Sequence, residues 1–374
     1  MAERSARAER RVLQLLGPST GGIRRHVVHL AAGLEQRGWD VEVAGPAGVL
    51  QGLAPLDHVV DLPAASEPRA LARSWPALRR AVVDVDVVHA HGLKAGWLAS
   101  SLRPRPPLVV TVHNLVLPEV VGRAAPVLKV LEAALPARAD VVIAVSGQIA
   151  CRYTGLSGAG RIQVVAPASP LGRAKRSGDE VRAGLGIVEG QHLIVSVGRL
   201  HAQKGFDLLV EAMAELHRHR PEVRLVIVGE GPAEAELRRQ VSALGLGDVV
   251  NLAGARAWAA DELAAAHVVV LASRWEGWPL VVAEAVSLGT PVVATAVGGV
   301  PDVVVDGVTG RLVAPEDPGA LAGAVEDILA DPQRARLRAE AARHRLEVLY
   351  PPDALVGAVD AAYVAAIGAA AARR

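Results

Sequence analysis

The chain has 374 residues, of which 51% are hydrophobic, 21% are charged and 3% are aromatic. This length favours two domains over one, and a core of Val, Leu, Ile and Ala is typical of parallel sheets covered by helices. The single cysteine, Cys151, excludes a disulfide framework and a cysteine-based zinc site, which fits a reducing compartment.

The formal net charge of +1 conceals an uneven distribution along the chain. Residues 1–175 carry a net charge of +8, whereas residues 176–374 carry −7. The basic half would suit an anionic acceptor or an anionic membrane surface, although a solvated arginine-rich face gives the same pattern. The first eleven residues lack the apolar stretch of a signal peptide, and no apolar run of about 18 residues follows. We therefore expect a soluble, cytoplasmic protein that is at most peripheral on the inner face of a membrane.

Short runs rich in Val and Ile alternate with helical patterns along the whole chain, which predicts βαβ units and parallel sheets. In the first half we predict strands at 11–16, 40–44, 84–89, 108–113 and 140–145, and an amphipathic helix at 23–37. The second half repeats the pattern, with strands at 193–197, 224–228, 249–252, 268–271 and 291–294. Helices are predicted there at about 206–220, 233–244, 259–266, 279–288 and 318–330. After a break at Pro351 and Pro352, a last helix at 353–371 is expected to cross back to the first domain.

The first candidate site is the loop VGRLHAQKGF at 197–206, which follows a predicted strand. Ligands of doubly wound sheets bind at the carboxyl ends of strands, and Gly198 would let the backbone approach an anion closely. The guanidinium of Arg199 can donate two parallel hydrogen bonds to phosphate oxygens, and the ammonium group of Lys204 provides a compact positive charge. The loop therefore indicates a diphosphate clamp, with an ordinary solvated loop as the alternative.

The second candidate site is SRWEGWPLVVAEA at 273–285, where a strand leads through a loop into a mostly apolar helix. Glu284 falls inside that helix, where a carboxylate is costly unless a partner such as a ribose satisfies it. Glu276 precedes the helix and can accept from sugar hydroxyls. The N–H groups at the helix start can hold a phosphate, and Pro279 suits the first helical position. The alternative is a capping Glu276 and a solvent-facing Glu284.

Two glycine-rich turns give weaker signals. Gly229 and Glu230 lie in VGEGP at 228–232, where a nucleotide base or ribose would bind and where a tight strand-to-helix turn is the alternative. Gly21 and Gly22 follow the first strand in GPSTGGI, and a bare turn is the alternative there as well.

Three histidines end strands of the first half. His89 and His91 lie in HAHG and could point to one face, but no third ligand follows at a metal-binding spacing, so we expect no metal. His113 is the better candidate for contacting a sugar, with a satisfied loop histidine as the alternative. Asp84 and Asp86 form a DxD pattern at a strand start, the wrong edge for a ligand, and are expected to be solvated.

Together these motifs resemble glycosyltransferase family 4, whose members are retaining enzymes with the GT-B fold. The matching pieces are VGRLHAQKGFD, VGEGP, the E-x7-E element from Glu276 to Glu284, and GTPVVATAVGGVPDVVVDGVTGRLV at 289–313. The first half fits through PSTGGIRRHVVHLAAGL, DVVHAHG, TVHN and DVVIAVS, so the resemblance covers nearly the whole chain.

The resemblance implies an α/β protein with two Rossmann-like domains facing each other across a cleft. The boundaries would be 1–172 for an acceptor-side domain, 173–352 for a nucleotide-sugar domain and 353–374 for a helix that packs on the first domain. Arg199 and Lys204 would bind the donor diphosphate, Glu284 the ribose and Glu276 the transferred sugar, with His113 beside it. The backbone of Gly277, Trp278, Pro279 and Leu280 would line the sugar and phosphate, and Gly21 and Gly22 would approach the diphosphate.

The expected function is transfer of a hexose-type sugar from a UDP- or GDP-sugar to a glycan, lipid-linked or small-molecule acceptor, with retention of configuration. No cofactor and no nucleic acid partner are expected. Peripheral membrane contact would use the basic first domain, through RALARSWPALRR at 69–80, although an ordinary surface helix gives the same pattern. A sugar-nucleotide epimerase and a non-catalytic nucleotide-sugar-binding subunit remain alternatives.

Overall fold

We describe the fold from a computed structural model, which covers residues 10–18, 21–51, 58–60, 62, 68–117, 122–167, 173–256 and 259–373. The chain divides into two compact units. Unit 1 comprises Met1–Ser169 together with Pro352–Arg374, and unit 2 comprises Pro170–Pro351.

Unit 1 is built on a seven-stranded parallel sheet in the order β3-β2-β1-β4-β5-β6-β7. Its strands are β1 Arg10–Leu16, β2 Trp39–Gly45, β3 His58–Val59, β4 Val87–His91, β5 Leu108–Val112, β6 Val141–Ala144 and β7 Ile162–Val164. Its helices are α1 Gly22–Gln36, α2 Ala47–Leu50, α3 Pro68–Ala81, α4 Leu93–Ser100, α5 Ala125–Arg138, α6 Gly147–Cys151 and, after unit 2, α15 Pro352–Ala371. Two 3₁₀ turns lie at Gly122–Ala124 and Ala159–Arg161.

Unit 2 is built on a six-stranded parallel sheet in the order β10-β9-β8-β11-β12-β13. Its strands are β8 His192–Val197, β9 Val223–Val228, β10 Val250–Leu252, β11 Val268–Leu271, β12 Val292–Thr295 and β13 Arg311–Val313. Its helices are α7 Gly178–Gly184, α8 Phe206–His219, α9 Glu234–Ala243, α10 Ala260–Ala265, α11 Leu280–Ser287, α12 Val300–Val303, α13 Pro318–Ala330 and α14 Pro332–Leu349. A 3₁₀ turn lies at Ala202–Lys204.

The predicted fold class is confirmed, because both units are doubly wound parallel sheets. The central strands were easiest to predict, since apolar side chains cover both of their faces: β4, β5, β6, β11 and β12 are buried at every position. The short edge strands β3, β7 and β13 were missed. They have two or three residues each, and Val164 in β7 is exposed, so they carry no continuous apolar run.

The predicted strand at 84–89 corresponds to β4, Val87–His91, and the prediction was wrong at both ends. The chain still turns at Asp84, whose φ is 61°. The Asp86 carboxylate then accepts the backbone N–H of Arg11 at 2.7 Å, and β4 begins only at Val87. His89 is a strand residue as predicted, and His91, which lies beyond the predicted end, also belongs to the strand, in register with β1 and β5.

The last helix, α15, packs on unit 1. Its buried side chains share one core cluster with α1 and strands β1, β2, β4, β5 and β6; they are Leu355, Val356, Val359, Ala362, Tyr363 and Ala366. By length and composition alone, one described segment, Pro332–Ala371, is apolar enough to cross a membrane. Of the apolar 18-residue window in that segment, 33% is buried inside the protein.

Candidate functional site

The loop after β8 places Lys204 beside the loop that follows the neighbouring strand β11. The Nζ atom of Lys204 lies 2.5 Å from Oε1 of Glu276. Both loops leave the carboxyl ends of paired parallel strands, which is where ligands of doubly wound sheets bind. The two residues that the sequence analysis placed in separate motifs therefore form one ion pair. Arg199 in the same loop is exposed.

Glu276 is buried, with 5% of its surface exposed. The hydroxyl of Ser273 donates to Oε1 at 2.6 Å, the same oxygen that Lys204 contacts. Among the described residues, no donor contacts Oε2 of this carboxylate. A fixed carboxylate with one oxygen held by protein donors can accept hydroxyl hydrogen bonds through the other oxygen.

Gly298 allows the chain to pass close behind Glu276. It has φ +57°, and a Cβ there would lie 1.5 Å from the carbonyl oxygen of Glu276. Only glycine fits both the backbone angle and the space. The GGVP segment after β12 therefore supports Glu276 from the side of its backbone.

The GxG turn at 229–231 packs against the loop after β8. A Cβ on Gly229 would lie 1.8 Å from the carbonyl oxygen of Gly198, and one on Gly231 would lie 2.4 Å from that of Leu200. The N–H of Leu200 donates to the carbonyl of Glu230 at 2.9 Å. Close packing therefore explains both glycines, and the side chain of Glu230 is exposed.

Glu284 lies in the middle of α11, and 7% of its surface is exposed. The alternative of a solvent-facing Glu284 is therefore wrong. Pro279 is the residue before the helix rather than its first residue. The indole of Trp278 packs edge-on against Tyr350, with ring centroids 4.8 Å apart. A ligand at this helix start would thus meet the backbone of Gly277 to Leu280.

Arg274 was not singled out from the sequence, yet it joins the two loops. Its guanidinium donates twice to Asp207 at 2.8 Å and also to Glu316 at 2.7 Å. Burial alone would raise the pKa of Asp207, but the hydrogen bonds and charge of Arg274 outweigh burial and hold that pKa below its usual value. Gln203 adds a second connection, donating to the carbonyl of Trp275 at 2.9 Å. Nothing in its sequence spacing distinguishes Arg274 from a solvated arginine.

In unit 1, Gly21 is the residue before α1, and Gly22 is the first residue of that helix. Gly21 is exposed and a Cβ there would meet open space, so packing does not require glycine at this position. The preceding Ser19 and Thr20 lie outside the described residues.

His113 follows β5 and is held by a directed chain of hydrogen bonds. Gln14 Oε1 lies 2.8 Å from His91 Nε2, and His91 Nδ1 lies 3.0 Å from His113 Nε2. An amide oxygen only accepts, so His91 donates from Nε2 and accepts at Nδ1 from His113. The chain therefore places the His113 proton on Nε2. Burial lowers the pKa of both His91 and His113 well below the usual value, so both rings are neutral near pH 7.

His89 belongs to the same network but points away from His113. Its Nδ1 lies 2.8 Å from the hydroxyl of Tyr363 in α15, and its Nε2 lies 2.6 Å from Oγ1 of Thr111. The Tyr363 hydroxyl also accepts from Gln14 Nε2 at 2.7 Å. Both nitrogens of His89 therefore have protein partners, and burial lowers its pKa to about 3.

The structure brings one further histidine to this cluster. His26 from α1 lies with its ring centroid 5.4 Å from that of His113 and 5.8 Å from that of His91. Burial lowers its pKa to about 4. His26 could not be singled out from the sequence, because 65 residues separate it from His91 and no spacing rule connects them.

The remaining predicted features of unit 1 lie outside the histidine cluster. Asp84 and Asp86 precede β4 at its amino end, where Asp86 contacts Arg11. In α3, the indole of Trp75 donates to Ser101 at 2.8 Å, and the guanidinium of Arg79 lies 5.0 Å from the Trp75 ring. These two side chains of the proposed membrane segment are thus occupied by protein contacts.

Comparison with known proteins covers both units. Residues 177–345 match the family model described as "Glycosyl transferases group 1", and residues 20–171 match "Glycosyltransferase Family 4". D-inositol 3-phosphate glycosyltransferase 1 of Catenulispora acidiphila is 33% identical, over 88% of this chain and 87% of the relative.

Solved structures agree with this comparison. Sucrose-phosphate synthase from Thermosynechococcus elongatus superimposes with a TM-score of 0.80 at 28% identity, covering 95% of this chain and 98% of that one. Anabaena HepE, in complex with UDP and glucose, gives a TM-score of 0.81 at 23% identity, covering 94% of this chain and 98% of that one. With its two Rossmann-like units of the GT-B class, the chain belongs to the family 4 glycosyltransferases.

Proposed function

We propose that this glycosyltransferase moves a hexose-type sugar from a nucleoside diphosphate sugar to an acceptor, with retention of configuration and without a divalent cation. The observation that carries the proposal is the Lys204–Glu276 pair, whose atoms lie 2.5 Å apart where two neighbouring parallel strands end. The cation can bind the diphosphate of such a donor, and the neighbouring carboxylate can accept hydrogen bonds from its sugar.

In this proposal Lys204 and the exposed Arg199 bind the diphosphate, with the backbone of Gly198 and the N–H groups at the start of α11. Glu284, buried in that helix, accepts from the ribose hydroxyls. Glu276 accepts from the transferred sugar through Oε2, while Lys204 and Ser273 hold Oε1. The GxG turn at Gly229 and Glu230 borders the nucleoside.

The transfer step depends on stabilising the negative charge that develops on the leaving diphosphate. The bond between the sugar C1 and the diphosphate oxygen breaks, and its electron pair goes to the leaving diphosphate. Lys204, Arg199 and the helix amides stabilise that developing charge without a metal. The acceptor oxygen forms the new bond to C1 on the same face, and its proton goes to a donor phosphate oxygen. No protein carboxylate has to act as a nucleophile.

For the acceptor we favour a small anionic molecule over a neutral glycan. Residues 1–175 carry a net charge of +8, which attracts an anion. The D-inositol 3-phosphate glycosyltransferase from Catenulispora acidiphila is named for a phosphorylated polyol. A lipid-linked acceptor with an anionic headgroup is the second candidate. Liposome co-sedimentation that shows no dependence on anionic lipid would remove this second candidate.

Turnover assays test the proposal directly. EDTA-treated protein is incubated with UDP-, GDP- and ADP-sugars and with phosphorylated polyols, and NMR reports the anomeric configuration of donor and product. UDP-sugars come first, because the HepE structures contain UDP and UDP-glucose. We expect an acceptor-dependent product that keeps the donor's configuration. Conversion of the donor without acceptor would instead indicate an epimerase, and binding without any turnover would indicate a non-catalytic subunit.

A further inference from the structure

Three buried histidines from different elements meet in unit 1. One ring nitrogen from each of His26, His91 and His113 lies within 4.8 Å of the others. The exposed fractions of these residues are 4%, 4% and 8%. Imidazole nitrogens are the ligands that zinc and other d-block ions prefer, whereas magnesium and calcium prefer oxygen.

The spacing of the cluster suits a shared ion. Zn–N bonds are about 2.0–2.1 Å long, so two nitrogens on one tetrahedral zinc lie about 3.4 Å apart. His91 Nδ1 and His113 Nε2 lie 3.0 Å apart. The three nitrogens lie within 4.8 Å of one another, so the His26 ring would have to shift by at most about 1.4 Å to complete a set of three.

The second ring nitrogen of His91 also has the kind of partner that a metal-bound histidine usually has. Metal-bound histidines commonly donate their second ring N–H to an oxygen acceptor, which fixes the tautomer. His91 does this already, because its Nε2 donates to Gln14 Oε1 at 2.8 Å, so its Nδ1 lone pair faces the cluster. His113 would move its proton from Nε2 to Nδ1, a tautomer change that leaves the net charge of the ring unchanged.

The ring of His26 also has a buried nitrogen without a partner. Its Nδ1 is buried, and within the described part of the chain it has no hydrogen-bond partner. A buried polar atom without a partner is costly, and a metal ion or a water would satisfy it. The donor-binding roles proposed above use neither His26 nor His91.

We propose that His26, His91 and His113 form a binding site for a divalent d-block ion, with Zn²⁺ as the probe. The transfer reaction proposed above needs no divalent cation, so this ion has no part in it. Zinc occupancy is measured directly, so the result does not depend on whether the proposed transfer reaction is correct.

The test uses the full chain without a purification tag, freed of metal by EDTA. Zn²⁺ is titrated in competition with a chromophoric chelator, for the wild type, His26→Gln and His29→Gln. His29 lies one turn further along α1 and outside the cluster, so it is the matched control. We expect one competing site per chain, at least a tenfold weaker affinity in His26→Gln, and no change in His29→Gln.

X-ray absorption of the zinc-loaded wild type provides a readout that needs no variant. We expect three imidazole nitrogens at about 2.0–2.1 Å. Absence of a competing zinc site in the wild type would overturn the proposal. So would equal affinities in His26→Gln and the wild type, or an absorption spectrum without imidazole ligands. If His26→Gln unfolds below room temperature, the wild-type spectrum alone decides.

Discussion

Lys204 Nζ and Glu276 Oε1 lie 2.5 Å apart, although 72 residues separate them along the chain. The pair joins the loop after β8 to the loop after β11, and Ser273 donates to the same carboxylate oxygen. Glu276 is buried and Lys204 is half-buried, so each partner lowers the cost of removing the other's charge from water. Their contact therefore fixes the spacing between the residue proposed to bind diphosphate and the residue proposed to bind sugar.

Replacing Glu276 by Gln should reduce kcat/KM by about 100-fold, because the amide keeps the shape but loses the charge that holds Lys204 and accepts from the sugar. The measurement is initial rate against donor concentration. Glu211→Gln, on the exposed face of α8, is the control and should leave the rate unchanged. A Glu276→Gln variant with wild-type kcat/KM would contradict the role given to this carboxylate.

Gly298→Ala should destabilise unit 2 and weaken donor binding, since the new methyl group would meet the Glu276 carbonyl oxygen at 1.5 Å. Gly289→Ala is a matched control. Gly289 also has a positive φ, +76°, but a Cβ there meets nothing within 4 Å. Both variants should lose about 1 kcal/mol of stability from backbone strain, and Gly298→Ala should lose more. Urea unfolding and donor titration measure both effects, and equal losses in the two variants would refute the packing argument.

Tyr363→Phe should cost about 1–3 kcal/mol of stability, because Gln14 and His89 would both lose a buried partner. Tyr153→Phe is the comparison variant for this stability measurement. Tyr153 is fully buried, but its hydroxyl has no hydrogen-bond partner within the described residues, so its removal should be neutral or stabilising. Chemical denaturation of both variants checks the pair. Comparable destabilisation by both substitutions would show that the α15 network contributes little.

The stability of unit 2 should fall between pH 7.5 and pH 5.5, in part through His267. Burial lowers the pKa of this histidine, and its Nδ1 accepts the backbone N–H of Leu193 at 2.9 Å. Because its pKa is lower in the folded state, the unfolded chain binds more protons as the pH falls below about 6.5. Stability is therefore present above that pH and lost below it.

His267→Gln provides the comparison for this pH effect. The glutamine oxygen can still accept the Leu193 N–H but does not titrate. Urea midpoints for the variant should depend less on pH than those of the wild type. Identical pH dependence in the two proteins would exclude His267 as a contributor.

The sequence was most informative where a residue pattern has a single structural explanation. Apolar runs located the central strands, and the buried position of Glu284 followed from its apolar neighbours in α11. The histidine cluster could not be predicted from sequence patterns. His26 in α1 meets His91, at the end of β4, and His113, which follows β5, only in the folded chain, and no linear spacing reveals this. Arg274 is similar, since its partners Asp207 and Glu316 lie 67 and 42 residues away.

The central claim is that unit 2 binds a nucleoside diphosphate sugar through Lys204, and ligand-dependent thermal stability tests it most directly. UDP-, GDP- and ADP-sugars are added without metal to the wild type, to Lys204→Ala and to Lys175→Ala, which changes an exposed lysine of the same unit. We expect one nucleotide class to raise the Tm of the wild type and of Lys175→Ala, and this rise to be lost in Lys204→Ala. A rise of the same size in Lys204→Ala, or no rise with any donor, would contradict the claim.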